Sequence, residues 1–221
     1  MIDDQVLLND WYIVAKARDL KEGEMLTARL WDEELVLWRD EGAVMVWKDY
    51  CIHRGAKLSP GRIKDRKVIC PYHGWHYDAK GRCSLIPAHP NTQPPAKAKA
   101  ITYQASESDG FIWASLGNPP HEPPSFPEYP DDSYRKVLAG PYNYHGNPFR
   151  TVENFLDVAH FPFVHANING DPNDPEPISD YEVFKGDVGI SAGPIPRFQP
   201  FGDHRGIPVT ALYQYNCPRP L

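Results

Sequence analysis

Residues 51–75 read CIHRGAKLSPGRIKDRKVICPYHGW, and two compact pairs of metal-binding side chains bracket them. The first pair is Cys51-Ile-His53 and the second is Cys70-Pro-Tyr-His73, with sixteen residues between His53 and Cys70. Each stands beside a glycine, Gly55 or Gly74, in a turn-like context. Thiolate and imidazole together suit a soft or borderline metal. The intervening stretch from Arg62 to Cys70 predicts a short strand.

Around this stretch the composition sets limits. The chain has 221 residues, a formal net charge of −6, 41% hydrophobic and 12% aromatic side chains. That describes a soluble globular protein of one large or two modest domains, not a disordered chain, and an acidic balance gives no reason to expect a nucleic-acid partner. No segment approaches the ~18 unbroken apolar residues of a membrane span. The opening MIDDQVLLNDW lacks a basic region leading into an apolar one, so no secretory signal is expected and the expected setting is cytoplasmic and reducing. Four scattered cysteines, Cys51, Cys70, Cys83 and Cys217, do not make a disulfide framework in a chain this long.

Short β-rich runs at Trp11–Ala15, Met25–Trp31, Glu34–Arg39, Val44–Trp47 and Phe111–Leu116, separated by turn signals, predict small antiparallel sheets. The run 119–130, PPHEPPSFPEYP, holds six prolines in twelve positions and reads as a stiff connector. Beyond it Val137–Tyr144, Tyr181–Phe184 and Pro208–Tyr215 read as strands, and Thr151–His165 as a helix capped by Thr151, with Glu153 in its first turn. Pro162 is expected to bend or end that helix near His160.

A centre in which one iron is held by two thiolates and the other by two imidazoles needs one Cys and one His from each of two loops. Cys51, His53, Cys70 and His73 supply that set. Zinc is the rival, since two Cys and two His also satisfy a tetrahedral site, although zinc spacing usually pairs Cys with Cys and His with His. Inert thiols beside surface imidazoles would require four coincidences. CIHRGAKLS followed by CPYHGWHYDAKGRCSLIP resembles the Rieske domain of ring-hydroxylating and demethylating non-haem iron oxygenases, over about residues 11–118. Respiratory-chain Rieske proteins add a disulfide between the cluster loops and a serine after the second His; the matching positions here are Ala56, Tyr72 and Trp75. A shell so poor in hydroxyls is expected to set the potential toward ~−150 mV rather than ~+300 mV. Trp75 is read as packing over the loops, His76 as a bystander and Cys83 as a small buried hydrophobe.

The segment 151–165, TVENFLDVAHFPFVH, spaces Asp157, His160 and His165 as Asp-x2-His-x4-His. Taken alone, two histidines on a helix facing a core are more often satisfied by backbone groups than by metal. On a continuous helix Asn154, Asp157, His160 and His165 fall within an arc of about 140°. The segment resembles the catalytic-iron motif of the same family, Glu-Asn-x2-Asp-x2-His-x4-His. By that resemblance His160 and His165 are ligands of a mononuclear Fe(II), Asp157 bridges to a cluster histidine of a neighbouring subunit, and Asn154 lines the iron pocket. The family's third ligand, a downstream aspartate, is not found: Asp171, Asp174, Asp180, Asp187 and Asp203 do not correspond to it. An N-terminal fragment of a longer oxygenase is therefore expected, inactive as it stands for want of that carboxylate.

The resulting expectation is an α+β, β-rich protein: a Rieske 2Fe-2S domain over residues 1–118, the connector, and the first part of a helix-grip (START-like) catalytic domain over 131–221. The resemblance implies an oxygenase, mono- or dioxygenase, that takes electrons from a reductase or ferredoxin and uses O2 to hydroxylate or oxidatively demethylate a small organic, aromatic substrate. The start at NDWYIVAKARDL resembles the homotrimeric branch. The alternative is a Rieske electron carrier without substrate chemistry, which would have no reason to possess Glu153–His165.

Overall fold

A computed structural model describes residues 3–186, 189–203 and 205–218, and the chain divides into two compact units, Met1–Val137 and Leu138–Leu221. The first unit opens with one helical turn, α1 (Gln5–Leu8), whose free N–H groups on Val6 and Leu7 donate to the Asp4 carboxylate. Strands β1 (Tyr12–Lys16), β2 (Met25–Leu30), β3 (Glu33–Asp40) and β4 (Ala43–Lys48) follow. Four short strands come next, β5 (Arg62–Lys64), β6 (Lys67–Ile69), β7 (His76–Tyr77) and β8 (Cys83–Leu85), before β9 (Thr102–Ser108) and β10 (Phe111–Ser115) return to the first sheet. That sheet runs β1-β10-β9-β4-β3-β2, and the insert forms its own sheet, β5-β6-β7-β8, with every pairing antiparallel.

Two-residue turns fix these registers. Glu41-Gly42 and Asp109-Gly110 both hold positive φ at each central residue, the geometry that matches strand twist, and both are visible in the sequence as acid-glycine pairs. Asp65-Arg66 does the same without a glycine, at φ 50 and 62. It folds the predicted single strand Arg62–Cys70 into the β5–β6 hairpin.

Strand β3 reads EELVLWRD, and Leu35, Val36, Leu37 and Trp38 are all buried. Alternate side chains point to opposite faces, so a strand buried on both sides serves two cores. Leu35 and Leu37 join Val46, Ile112 and Ala114. Val36 and Trp38 join Trp47, Leu58, Val68, Cys51, Cys70 and Tyr77, with the Trp38 and Trp47 rings edge to face at 5.1 Å. Each such large side chain contributes about 1.5–3 kcal/mol by leaving water, and the second core attaches the insert to the sheet.

In the second unit α2 (Pro148–Leu156) is capped by Asn147, which accepts from the Phe149 amide, and Pro148 takes the first position, where its missing N–H is harmless. Thr151 is not the cap; it lies inside the helix with its hydroxyl donating to the Asn147 carbonyl. The helix stops at Asp157, in extended geometry, and restarts as α3 (Phe161–Val164), so Pro162 begins a helix instead of ending one. Strands β11 (Val183–Gly186), β12 (Gly189–Gln199) and β13 (Val209–Cys217) form an antiparallel sheet in chain order. Val158, Phe161 and Ile195 are its core, packed by Tyr213 and Tyr215. The predicted strand Val137–Tyr144 is absent: Gly140 turns at φ 77 and Pro141 offers no ladder donor. No helix among the described residues is long and apolar enough to cross a membrane.

A Cβ on Gly61 would lie 2.2 Å from the Ile69 carbonyl oxygen and 2.8 Å from that of Leu58, both backbone atoms that cannot swing away. Gly61→Ala is expected to destabilise the first unit by about 3 kcal/mol, read as a fall on the order of 10 °C in a thermal melt.

Candidate metal centres

The two Cys/His loops share one construction. In the first, the Cys51 amide donates to the Ala56 carbonyl at 2.7 Å and the Gly55 amide to the Cys51 carbonyl at 2.8 Å. In the second, the Cys70 amide donates to Trp75 at 2.9 Å and the Gly74 amide to Cys70 at 3.0 Å. Both glycines hold the left-handed conformation, φ 73 and 69, that closes such a turn. Each loop therefore presents its thiol inward and its imidazole outward.

The side chains meet as the chemistry requires. Cys51 and Cys70 are 1% and 2% exposed, while His73 is exposed and its ring centre stands 4.6 Å from that of His53. Trp75 stacks flat on His53 at 4.4 Å, and Tyr72 packs on His73 at 4.0 Å. Burial pushes the Cys51 thiol pKa up, and burial followed by the charges of His73 and Arg54 pulls His53 down. His53 Nδ1 is buried without a hydrogen-bond partner. An orphaned imidazole nitrogen beside buried thiols is a donor set awaiting a cation. Among the described residues no group of three or more His, Cys, Asp or Glu stands close enough to hold one ion. A pair of thiols and a pair of imidazoles fits a two-iron cluster instead.

Two residues that the sequence reading missed support the loops. Asp49, buried, accepts from the Leu58 amide at 2.7 Å, the Ser59 amide at 2.8 Å and the Ser59 hydroxyl at 2.6 Å, closing residues 49–59 into one unit. The Tyr77 hydroxyl lies 3.1 Å from Cys51 Sγ, and burial raises its pKa far enough to keep it a donor. The shell is thus less poor in hydroxyls than the sequence implied. Only strand alternation from Trp75, once β7 was recognised, would have pointed Tyr77 inward.

In the second unit His160 and His165 face each other with ring centres 5.3 Å apart, and Phe161 packs against both. Asp157 Oδ2 lies 3.3 Å from His160 Nδ1, and Oδ1 accepts from the Ala159 amide at 2.6 Å. Asn154, exposed on α2, has no hydrogen bond to either histidine. Asp171 binds Asn173 and Asp203 binds Arg205, while Asp187 lies outside the described residues. Among the described residues no carboxylate joins the histidine pair as a third ligand.

Residues 10–102 match the model of the Rieske [2Fe-2S] domain family. The chain is 35% identical over 189 residues to methylxanthine N1-demethylase NdmA of Pseudomonas putida, covering 79% of this chain and 54% of that protein. The chain carries a Rieske [2Fe-2S] domain and matches the Rieske non-haem iron oxygenases over part of their length. It is also 39% identical over 118 residues to oxidoreductase NdmD of Pseudomonas putida, covering 52% of this chain and 20% of that one. The solved structure of Pseudomonas putida CBB5 NdmA with caffeine superposes with a TM-score of 0.80 at 30% identity, covering 98% of this chain and 64% of that one. The chain thus spans about half the length of the N1-demethylase.

Because Asp49 satisfies two amides that have no other acceptor, Asp49→Ala should cost about 2–4 kcal/mol. Thermal melting should show the loss, and hydrogen exchange should show faster amides at Leu58 and Ser59.

Proposed function

We propose that this Rieske oxygenase chain is an oxygenase component that receives electrons from a reductase or ferredoxin and uses O2 to hydroxylate or oxidatively demethylate a small aromatic substrate, as a homotrimer. The observation that carries the reading is the meeting of two like-built loops with paired buried thiols and paired outer imidazoles, in the same chain as the Asp157-His160-His165 group. The carrier alternative is not favoured, because the likeness to the N1-demethylase extends over 189 residues, well past the Rieske domain.

In this reading Cys51 and Cys70 hold one iron of the cluster and His53 and His73 the other, while His160 and His165 hold the mononuclear iron. The cluster supplies one-electron transfer and the mononuclear iron supplies O2 activation. Asp157 fixes the His160 ring through Nδ1, which leaves Nε2 for the metal. Its side chain is still 47% exposed, so the carboxylate has room to accept an imidazole N–H from a second copy of the chain. Asn154, on the exposed helix, is assigned to the pocket lining.

Purified protein matured with its cluster should contain acid-labile sulfide and give a rhombic paramagnetic signal when reduced; stoichiometric zinc without sulfide would overturn the assignment. The two imidazoles alone should hold Fe(II) weakly, so mononuclear iron should be lost on desalting while the cluster iron stays. Tyr77→Phe removes a hydrogen bond that strengthens as the cluster gains negative charge. It should lower the cluster potential by on the order of 40 mV, about 1 kcal/mol, as read by redox titration. In the assembled enzyme Asp157→Asn should keep the cluster and slow product formation roughly 10-fold or more, since an amide accepts an imidazole proton far less well.

A further inference from the structure

The two cluster loops are built alike down to one position. In each, the cysteine amide donates to the carbonyl of the residue five places on, which closes the loop: Ala56 in the first and Trp75 in the second. Ala56 ends there, a methyl against the core. Trp75 reaches further. Its backbone completes the second loop, yet its indole lies flat on His53 of the first, with ring centres 4.4 Å apart and planes 9° from parallel. His73 is packed instead by Tyr72 of its own loop, at 4.0 Å and tilted by 41°.

That asymmetry divides the two imidazoles. His53 is half-buried and its Nδ1 is shut away from water without a hydrogen-bond partner, whereas His73 is exposed and so is Tyr72 beside it, at 65%. A ring held face to face by a larger plate can slide in its own plane. It cannot turn about its Cβ–Cγ bond without driving an edge into the indole. The stack therefore sets the plane of the His53 nitrogens before any iron arrives, and a side chain fixed in advance lowers the ordering cost of binding. The indole is fixed in turn. It packs on the core that encloses Cys51 and Cys70, and its own carbonyl is tied to the Cys70 amide.

We propose that Trp75 is a positioning residue that clamps one cluster loop to the other, presenting His53 as a fixed, water-shielded ligand and leaving His73 as the adjustable one. The proposal rests on Cys51, His53, Cys70 and His73 holding the cluster. Iron leaves when the loops separate, and the clamp opposes that motion because its backbone belongs to one loop and its ring rests on the ligand of the other. Tyr72 moves with the ring it covers and opposes nothing. Since only His53 is clamped, the two imidazoles differ as ligands even though their loops share a construction.

The test compares the cluster-loaded chain with Trp75→Leu, Trp75→Phe and Tyr72→Leu, following the bleaching of the cluster's visible absorbance under an excess of iron chelator. Trp75→Leu should lose its cluster roughly 10-fold faster than the wild type, Trp75→Phe, which keeps a flat ring, within about 3-fold of the wild-type rate, and Tyr72→Leu within about 2-fold. Pulsed paramagnetic resonance of the reduced cluster should resolve one imidazole nitrogen with sharp couplings and one with broad couplings, and Trp75→Leu should broaden the sharp one. In the cluster-free chain the indole ring current should hold the His53 ring protons upfield of their position in Trp75→Leu. Wild-type retention with unchanged couplings in Trp75→Leu would overturn the proposal. Equal acceleration by Tyr72→Leu would do so too, by showing general shielding in place of a clamp. A Trp75→Leu chain that melts several degrees lower before cluster insertion, with Trp75→Phe shedding its cluster just as fast, would assign the indole to the core alone. Zinc without sulfide would overturn the cluster assignment and the clamp with it, whereas unshifted His53 protons in a sulfide-containing chain would overturn the clamp alone.

Discussion

Two thiols enclosed in a hydrophobic core govern the arrangement of the first unit. Cys51 and Cys70 lie among Val36, Trp38, Trp47 and Leu58, on the face of β3 turned toward the insert. Both pack there like small apolar side chains, and burial favours the protonated form of Cys51. A cation bound from the imidazole side can replace the proton without exposing sulfur to water. The sheet therefore does not merely carry the loops. Its Val36–Trp38 face supplies the dry floor that makes thiol chemistry depend on metal, and Asp49 locks the loop that covers it.

What the sequence showed and what it hid divide along the same line. The Cys51/His53 and Cys70/His73 pairs were legible because ligand chemistry constrains residue type and spacing together. Strands β3, β4 and β10 were legible because long apolar runs have few other uses. The β5–β6 hairpin was hidden because Asp65 and Arg66 adopt positive φ without the glycine that usually announces it. Strand β12 was hidden because Pro194 and Pro196 read as breakers. Pro194 sits at the register shift, and β11 covers β12 only to Ala192, so neither proline is asked for a ladder bond on that side. Val137–Tyr144 erred the other way: apolar alternation suggested a strand that Gly140-Pro141 prevents. Asp49 left no signal and Tyr77 only the alternation of a two-residue strand, because their importance lies in burial and in partners distant in the chain.

Asp157, His160 and His165 come together, while Asn154, which the same helical arc included, forms no hydrogen bond to either histidine. Helical periodicity put Asp157, His160 and His165 on one arc of a continuous helix, yet the chain leaves helical geometry at Asp157 and resumes it only at Phe161. The break does work that periodicity could not. With Asp157 extended, one carboxylate oxygen turns back to the Ala159 amide and the other reaches His160 Nδ1, so the elbow is tied at both sides by a single residue. The tie selects the tautomer with the proton on Nδ1, and the lone pair then lies on Nε2, the nitrogen free to bind metal. Pro162, seated in the first turn of α3, restarts the helix and brings His165 across from His160. Convergence is thus set by a capped elbow rather than by an unbroken helix face, and the carboxylate that builds the elbow is still 47% exposed.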